Sequence, residues 1–316
     1  MFKHLFCPMI IWAAASAAAL AQASSGTFGE SGFGEEPMDL EQSETTVEST
    51  EEVQSSSEGF WIFPSPAPLT GRIATDRPAF SDTASLVPRG RFQFEGGYQF
   101  TYDREGKKRT YDHLFPESAF RTGLTDWLEF RMKWNGYSLT ETTDRFTTRG
   151  GRHIMRETHD DSGTDLNLGF KMPVIRDKEN LPNISFIASM NVPTGGGGKS
   201  ANNVVPEIKF PWSYAITNEW SVYGSYFARV NDGPGGQFFQ NGVTLATAYD
   251  VHDRVKLYLE YLGVYPAVRD EDCAHLLSAG PIIWLTDNLS LDMRATVGLN
   301  EQAPDFQTSI GFGIRF

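Results

Sequence analysis

The sequence predicts an all-β fold: an antiparallel up-and-down transmembrane β-barrel of about twelve strands, preceded by a disordered N-terminal tail. Three observations predict it. Residues 306–316 alternate strictly, with Phe306, Ile310, Phe312, Ile314 and Phe316 on one side and Gln307, Ser309, Gly311, Gly313 and Arg315 on the other. Similar alternation recurs through the body, whereas no stretch beyond Ala23 has the roughly 18 consecutive apolar residues of a membrane-crossing helix. The connections between alternating segments are by turns short and long.

The front of the chain sets the compartment. Lys3, the apolar Ala-rich run from Phe6 to Leu20 and the small residues of Ala21-Gln22-Ala23 read as a secretory signal over residues 1–23. Cys7 leaves with that signal, so Cys273 is alone in the exported chain and an intramolecular disulfide is excluded. Residues 24–59 hold ten acids and no Lys or Arg, too polar a composition to offset the entropy of ordering, and read as a disordered acidic tail. Taking that tail and Lys3 off the net charge of −13 leaves −4 for residues 60–316, with 26 bases against 30 acids. The body is therefore nearly balanced, and no basic surface points to nucleic acid. Residues 60–89 then form a periplasmic lead-in, and residues 90–316 the barrel.

Each strand follows from its pattern. The first spans about 91–102, with Phe92, Phe94, Tyr98 and Phe100 on one face. The third sets Leu128, Phe130, Met132 and Trp134 against Glu129, Arg131, Lys133 and Asn135. The seventh (Trp220, Val222, Tyr226, Val230) and ninth (Val255, Leu257, Leu259, Tyr261) behave alike. The eleventh alternates from Leu289 through Leu291, Met293, Ala295 and Val297 to Leu299 against Ser290, Asp292, Arg294, Thr296, Gly298 and Asn300. Weaker versions lie near 111–124, 164–174, 183–193, 204–216, 238–250 and 274–286. Short turns such as Leu124-Thr125-Asp126-Trp127 and Leu285-Thr286-Asp287-Asn288 suit tight reversals, because Asp and Asn bond nearby backbone. Longer polar connections are expected at 103–110, 141–162, 194–203, 231–237, 266–273 and 300–304. That alternation places both ends of the barrel on the periplasmic side.

The apolar faces of the six strong strands carry no Lys, Arg, Asp or Glu. A soluble barrel shows the same alternation with the opposite sense, and alternation alone leaves that sense open. The signal, the terminal Phe, the turn asymmetry and aromatic residues near strand ends (Trp220, Trp284, Tyr137, Tyr265) favour the outer membrane, where Trp and Tyr settle at headgroup level. Lipid and the barrel-assembly machinery are the expected partners, with Phe312, Ile314 and Phe316 as the assembly signal.

Thr75-Asp76-Arg77-Pro78-Ala79-Phe80, followed by Val87-Pro88-Arg89-Gly90-Arg91-Phe92-Gln93-Phe94-Glu95-Gly96-Gly97-Tyr98, resembles the opening of a family of bacterial outer-membrane "transporter" barrels. That family is also described as MetA-pathway of phenol degradation proteins. Gly123-Leu124-Thr125-Asp126, Asp165-Leu166-Asn167-Leu168-Gly169-Phe170-Lys171, Val192-Pro193-Thr194-Gly195 and Leu299-Asn300-Glu301-Gln302-Ala303-Pro304-Asp305 are similar too. The family often has an acid where this chain has Ala79. The resemblance covers about residues 74–316 and implies an outer-membrane barrel with a transport role.

Other chemistry is weaker. Pro193-Thr194-Gly195-Gly196-Gly197-Gly198-Lys199-Ser200 has Pro where a phosphate loop needs its first Gly, and reads as an external loop. His153 and His159 beside Asp160, Asp161 and Ser162 fix no ligand geometry and read as a solvated loop. Neither an enzyme nor a metal or cofactor is expected. Asp76 and Arg77 are candidates to dock inside the barrel or at its periplasmic mouth, with Thr75, Pro78 and Phe80 completing the motif.

The polar faces define an expected lumen lining of Glu95, Glu117, Arg121, Glu129, Arg131, Lys133, Asp165, Lys171, Glu207, Lys209, Arg229, Lys256, Glu260, Asp292, Arg294 and Arg315. Single-sign rings mark dedicated ion channels, so these mixed signs predict paired ladders that stiffen the wall and narrow the bore. The expected function is a narrow path for small solutes, hydrophobic or aromatic ones included. The alternative is a structural or partner-binding barrel through which no solute passes.

Overall fold

The computed structural model describes residues 66–147, 153–201, 203–233, 236–267 and 272–316. The expected signal and acidic tail lie outside them. The chain divides after Phe60, and every described residue belongs to the second unit.

Fourteen strand segments follow in order: β1 (Phe92–Glu105), β2 (Lys108–Gly123), β3 (Glu129–Trp134), β4 (Tyr137–Thr147), β5 (His153–Gly163), β6 (Leu166–Ile175), β7 (Asn183–Val192), β8 (Val205–Ala215), β9 (Trp220–Gly233), β10 (Gly236–His252), β11 (Val255–Pro266), β12 (Ala274–Thr286), β13 (Leu289–Gly298) and β14 (Phe306–Arg315). All neighbouring pairs are antiparallel. Twelve segments, β1–β3 and β6–β14, make a closed ring, because β1 pairs with both β2 and β14. The predicted twelve-stranded barrel is therefore the observed fold. At the seam Phe92 and Phe316 exchange backbone N–H···O bonds of 2.9 Å in both directions, and their rings lie 6.3 Å apart. Phe94 pairs with Ile314 and stacks near Phe312 one register step away. Closure leaves the ring itself without a strand edge.

Two staves run on past the ring. β4 continues β3 after Asn135-Gly136, and β5 leads into β6 through Thr164-Asp165. β4 pairs with the upper half of β2 and with β5 over its full length. The connection expected at 141–162 is thus mostly strand, and those expected at 103–110 and 231–237 are strands joined by the two residues 106–107 and 234–235. Beyond Leu139 these extensions carry no continuous apolar face, as in Thr140-Glu141-Thr142-Thr143-Asp144-Arg145, so hydrophobic alternation could not mark them. The backbone ladder holds them without an apolar face.

The structure decides the sense of the alternation. Along β13, Met293 is 50% exposed and Asp292 1% exposed, and Leu291 and Val297 point outward while Ser290, Arg294 and Thr296 are buried. On β14, Phe306, Ile310 and Phe312 are exposed, and Ser309 and Arg315 are buried. The apolar side therefore faces out and the charged side faces in, the inverse of a soluble core. Trp220 and Tyr137 stand exposed near strand ends, as expected. Trp284 does not: it is buried, and its Nε1–H donates to the Ile73 carbonyl at 3.1 Å.

Arg in place of Met293, at the middle of β13, is expected to cost about 2–4 kcal/mol, whereas Arg in place of Phe306, near the rim, costs about 0–1 kcal/mol. Equilibrium refolding into lipid vesicles measures both; equal costs would remove Met293 from the bilayer midplane.

Candidate functional site

The periplasmic lead-in, whose Asp76 and Arg77 are candidates to dock inside the barrel or at its mouth, lies inside it over residues 71–88. The reason is the interior just described, which has polar side chains to satisfy and only a small apolar cluster (Leu262, Leu276, Ala303), against which Phe80 packs. The segment enters and leaves at one end of the barrel. Ala67 N–H donates to Arg89 at 2.9 Å and Arg91 Nε to Ala67 at 2.8 Å, closing its neck. Ile73 N–H then bonds the Asp287 carbonyl at 2.7 Å, and Arg72 reaches Asp250 and the Asp253 carbonyl at 2.9 Å each, all at the short turns.

Over this stretch the backbone forms no strand, so its polar groups need partners from the wall. Wall carboxylates take the N–H groups. Glu95 accepts from Asp76 and Arg77, Glu260 from Phe80 at 2.7 Å and Ser81 at 2.9 Å, and Glu129 from Val87 at 2.7 Å. Cationic and polar wall side chains take the carbonyls. Arg121 and Gln93 donate to Ala74, Arg294 to Pro78, Lys171 to Thr83 and Ser85, Ser185 to Ala84, and Arg315 to Gly71. Mixed charge is what an irregular backbone requires of its surroundings, since acids can only accept and Arg and Lys can only donate.

The side chains of the segment carry a second network. Asp76 meets Arg131, with Lys133 at 3.1 Å and Arg121 at 3.6 Å. Asp82 lies 2.5 Å from both Arg131 and Lys133 and 3.0 Å from Lys209. Arg77 pairs with Glu117 on β2 and lies 3.4 Å from Asp292 on β13. Burial pushes the Asp76 carboxyl up, but Arg121, Arg131 and Lys133 outweigh it and hold it well below the usual carboxylate range. Burial likewise opposes ionisation of Asp82, and Lys133, Lys209 and Arg131 overcome it in the same direction. For Arg77, burial works against the guanidinium charge, and Asp292 and Glu117 reverse that, raising its pKa.

Two wall glycines make room. A Cβ on Gly97 would stand 2.5 Å from the Arg77 guanidinium, and one on Gly311 2.3 Å from its Nε. The guanidinium lies flat against the wall only where both side chains are missing.

The segment divides the lumen. A cavity of about 420 Å³ opens on the short-turn side, lined by Arg72, Thr75, Trp212, Tyr223, Lys256 and Trp284. A smaller one of about 130 Å³ lies on the other side, against Arg77, Glu117, Lys133, Asn135 and Arg294.

The expected lining residues divide by role. Glu95, Glu117, Arg121, Glu129, Arg131, Lys133, Lys171, Lys209, Glu260, Asp292, Arg294 and Arg315 all touch the segment or the groups that hold it. Wall-to-wall pairs exist too, as in Arg121–Glu129 at 2.8 Å, Arg229–Glu207 at 3.9 Å and Lys256–Asp250 at 3.6 Å. The same wall charges thus serve both the segment and one another, with Glu129 also within 3.9 Å of Arg131 and of Lys171. Asp165 is a loop brace instead, accepting from Gly195 N–H at 2.9 Å and Ala201 N–H at 2.8 Å. Lys199, on a short 3₁₀ turn (Gly197–Lys199), donates to Thr140 at 2.5 Å and lies 3.4 Å from Asp112, which ties its loop to the β2–β4 sheet. His153 and His159 lie on β5, not in a loop. Sequence reading missed Ser81 and Asp82, which follow the motif directly; Ser81 Oγ bonds Glu260 at 2.5 Å and Thr244 at 2.6 Å. The signal was there in Asp82, an acid within a short apolar-flanked stretch like Asp76.

Ala in place of Glu95 strips the acceptor from two buried N–H groups and a partner from Arg121. It is expected to weaken docking by about 3–5 kcal/mol, the cost of leaving one side of a buried charge pair. Limited digestion of the folded barrel with a protease that cuts before Asp, with sites mapped by mass spectrometry, should then show cleavage before Asp76 that the unaltered protein resists.

The chain is similar to the crystal structure of an outer-membrane channel from Pseudomonas putida F1, at 14% identity and a TM-score of 0.55, covering 74% of this chain and 98% of that one. The CymD monoaromatic hydrocarbon channel aligns more loosely, at 9% identity and a TM-score of 0.43, over 72% of this chain and 89% of that one. No curated protein sequence matches it. The motif that opens the internal segment also opens the matching region of a family model, which runs over residues 75–316, and the chain accordingly belongs to the family described as "Putative MetA-pathway of phenol degradation".

Proposed function

We propose that this protein is an outer-membrane channel for small solutes whose lumen is closed by its own N-terminal segment, residues 71–88. The observation that carries the reading is the position of that segment between two cavities, with Asp76 and Asp82 tied to cations of β2, β3 and β8 and Arg77 to acids of β2 and β13. A barrel serving only as a scaffold needs no separate piece of chain with its own charge network across the bore. The family description supports small aromatic solutes as cargo, and the similarity to an outer-membrane channel supports the passive-pore class over an enzyme. In this reading the signal over residues 1–23 exports the chain, the assembly machinery takes hold of Phe312, Ile314 and Phe316, and the apolar belt then faces lipid.

Docking is held by ion pairs, so it responds to single charges. Breaking one side of a buried pair costs about 3–5 kcal/mol, enough to turn a closed segment into one that opens often. Arg77→Ala and the double variant D76N/D82N should each raise single-channel conductance or open probability several-fold over the unaltered protein in planar bilayers. Heat-modifiable gel migration checks that the barrel is folded. Folded variants that stay silent would leave the structural or partner-binding reading in place.

A further inference from the structure

The cationic side of the constriction has more donors than its occupants use. Arg131 and Lys133 come from β3 and Lys209 from β8, and all three converge on the carboxylate of Asp82, while Asp76 pairs with Arg131 and Lys133 as well. The side chains of Asp82 and Arg131 are each 3% exposed, yet those of Lys133 and Lys209 keep 26% and 23% of their surface open. Arg131 Nη1 is buried and has no hydrogen-bond partner among the described residues. Nearby wall acids compensate only in part: Glu207 lies 3.3 Å from Lys209 and Glu129 3.9 Å from Arg131. A guanidinium with a spare donor beside two reachable ammonium groups is the arrangement that holds a free carboxylate, through one charge-assisted pair to the arginine and point charges from the lysines.

We propose that Arg131, Lys133 and Lys209 form a carboxylate-binding site for the transported solute, and that Asp82 occupies it as a tethered stand-in. The inference rests on the channel reading above and adds the class of cargo, small organic acids. A solute carboxylate that reaches the two exposed lysines competes with Asp82 for the same donors. Its binding releases the segment from that wall, so arrival of cargo and opening of the path are one exchange of ion partners. Displacement conserves charge, since one carboxylate replaces another, and no cation is left buried without a partner.

The test uses the full chain and three probes of one shape and different charge: benzoate, benzyl alcohol and benzylamine. Isothermal titration into folded protein should show benzoate binding at least roughly tenfold tighter to Asp82→Ala than to the unaltered protein, because the tethered competitor is gone. Adding Lys133→Gln to that variant should lose most of the gain, and neither benzyl alcohol nor benzylamine should respond to either change. Equal benzoate affinity with and without Asp82, or a gain indifferent to Lys133→Gln, overturns the site. Should Asp82→Ala fail to fold, Asp82→Asn is titrated in its place, with the same ordering required. Bilayer recordings separate the two readings. Benzoate binding without conductance in any variant overturns the channel and keeps the site. Conductance from the opened variants with no preference for benzoate overturns the site and keeps the channel.

Discussion

An irregular stretch of backbone inside a barrel must have each N–H and C=O matched by the wall, and the interior of this protein is organised around that requirement. Within a bore closed off from bulk water an unmade hydrogen bond costs its full desolvation penalty. Glu95, Glu129 and Glu260 answer the N–H groups of Asp76, Arg77, Phe80, Ser81 and Val87, and Arg121, Lys171, Arg294 and Arg315 answer carbonyls. A wall of one sign could serve only one kind of backbone group. The near balance of charge in the barrel body follows from what it encloses.

The outside obeys the opposite constraint. Lipid offers no hydrogen bonds, so the backbone must close on itself and only apolar side chains can face out. The seam between β1 and β14, with Phe92 and Phe316 bonded to each other in both directions, satisfies the first condition. The exposed run of Leu291, Met293 and Val297 beside the buried Asp292, Arg294 and Thr296 satisfies the second within a single strand. The period of two along a strand lets one stretch of sequence serve both solvents, since neighbouring residues point to opposite faces.

Ion pairs suit a closure that must reopen. A segment packed by apolar contact alone would release slowly and without discrimination, whereas one held by Asp76, Arg77 and Asp82 can exchange its partners one at a time. The network takes partners from several staves, with Arg131, Lys133 and Lys209 of β3 and β8 on the acids of the segment, and Glu117 and Asp292 of β2 and β13 on its arginine. The segment carries the complementary pattern, and Gly97 and Gly311 leave the flat space its guanidinium fills.

Alternation and turn chemistry determined the barrel, its twelve staves and which residues share a face, because these depend on neighbours one and two positions apart. The same signal failed over most of residues 137–163, where no continuous apolar face follows Leu139, and at Trp284, whose ring serves the internal segment instead of the lipid boundary. Composition placed Glu95, Arg131, Lys133 and Arg294 on one polar face, and the motif marked Asp76 and Arg77 as candidates to dock there. Their use was decided only in three dimensions. Asp82 meets Lys209 across 127 positions of sequence, and Phe80 meets Glu260 across 180. No local pattern encodes such a contact; it exists because the ring closes around the segment and brings opposite walls within reach of one short stretch of chain.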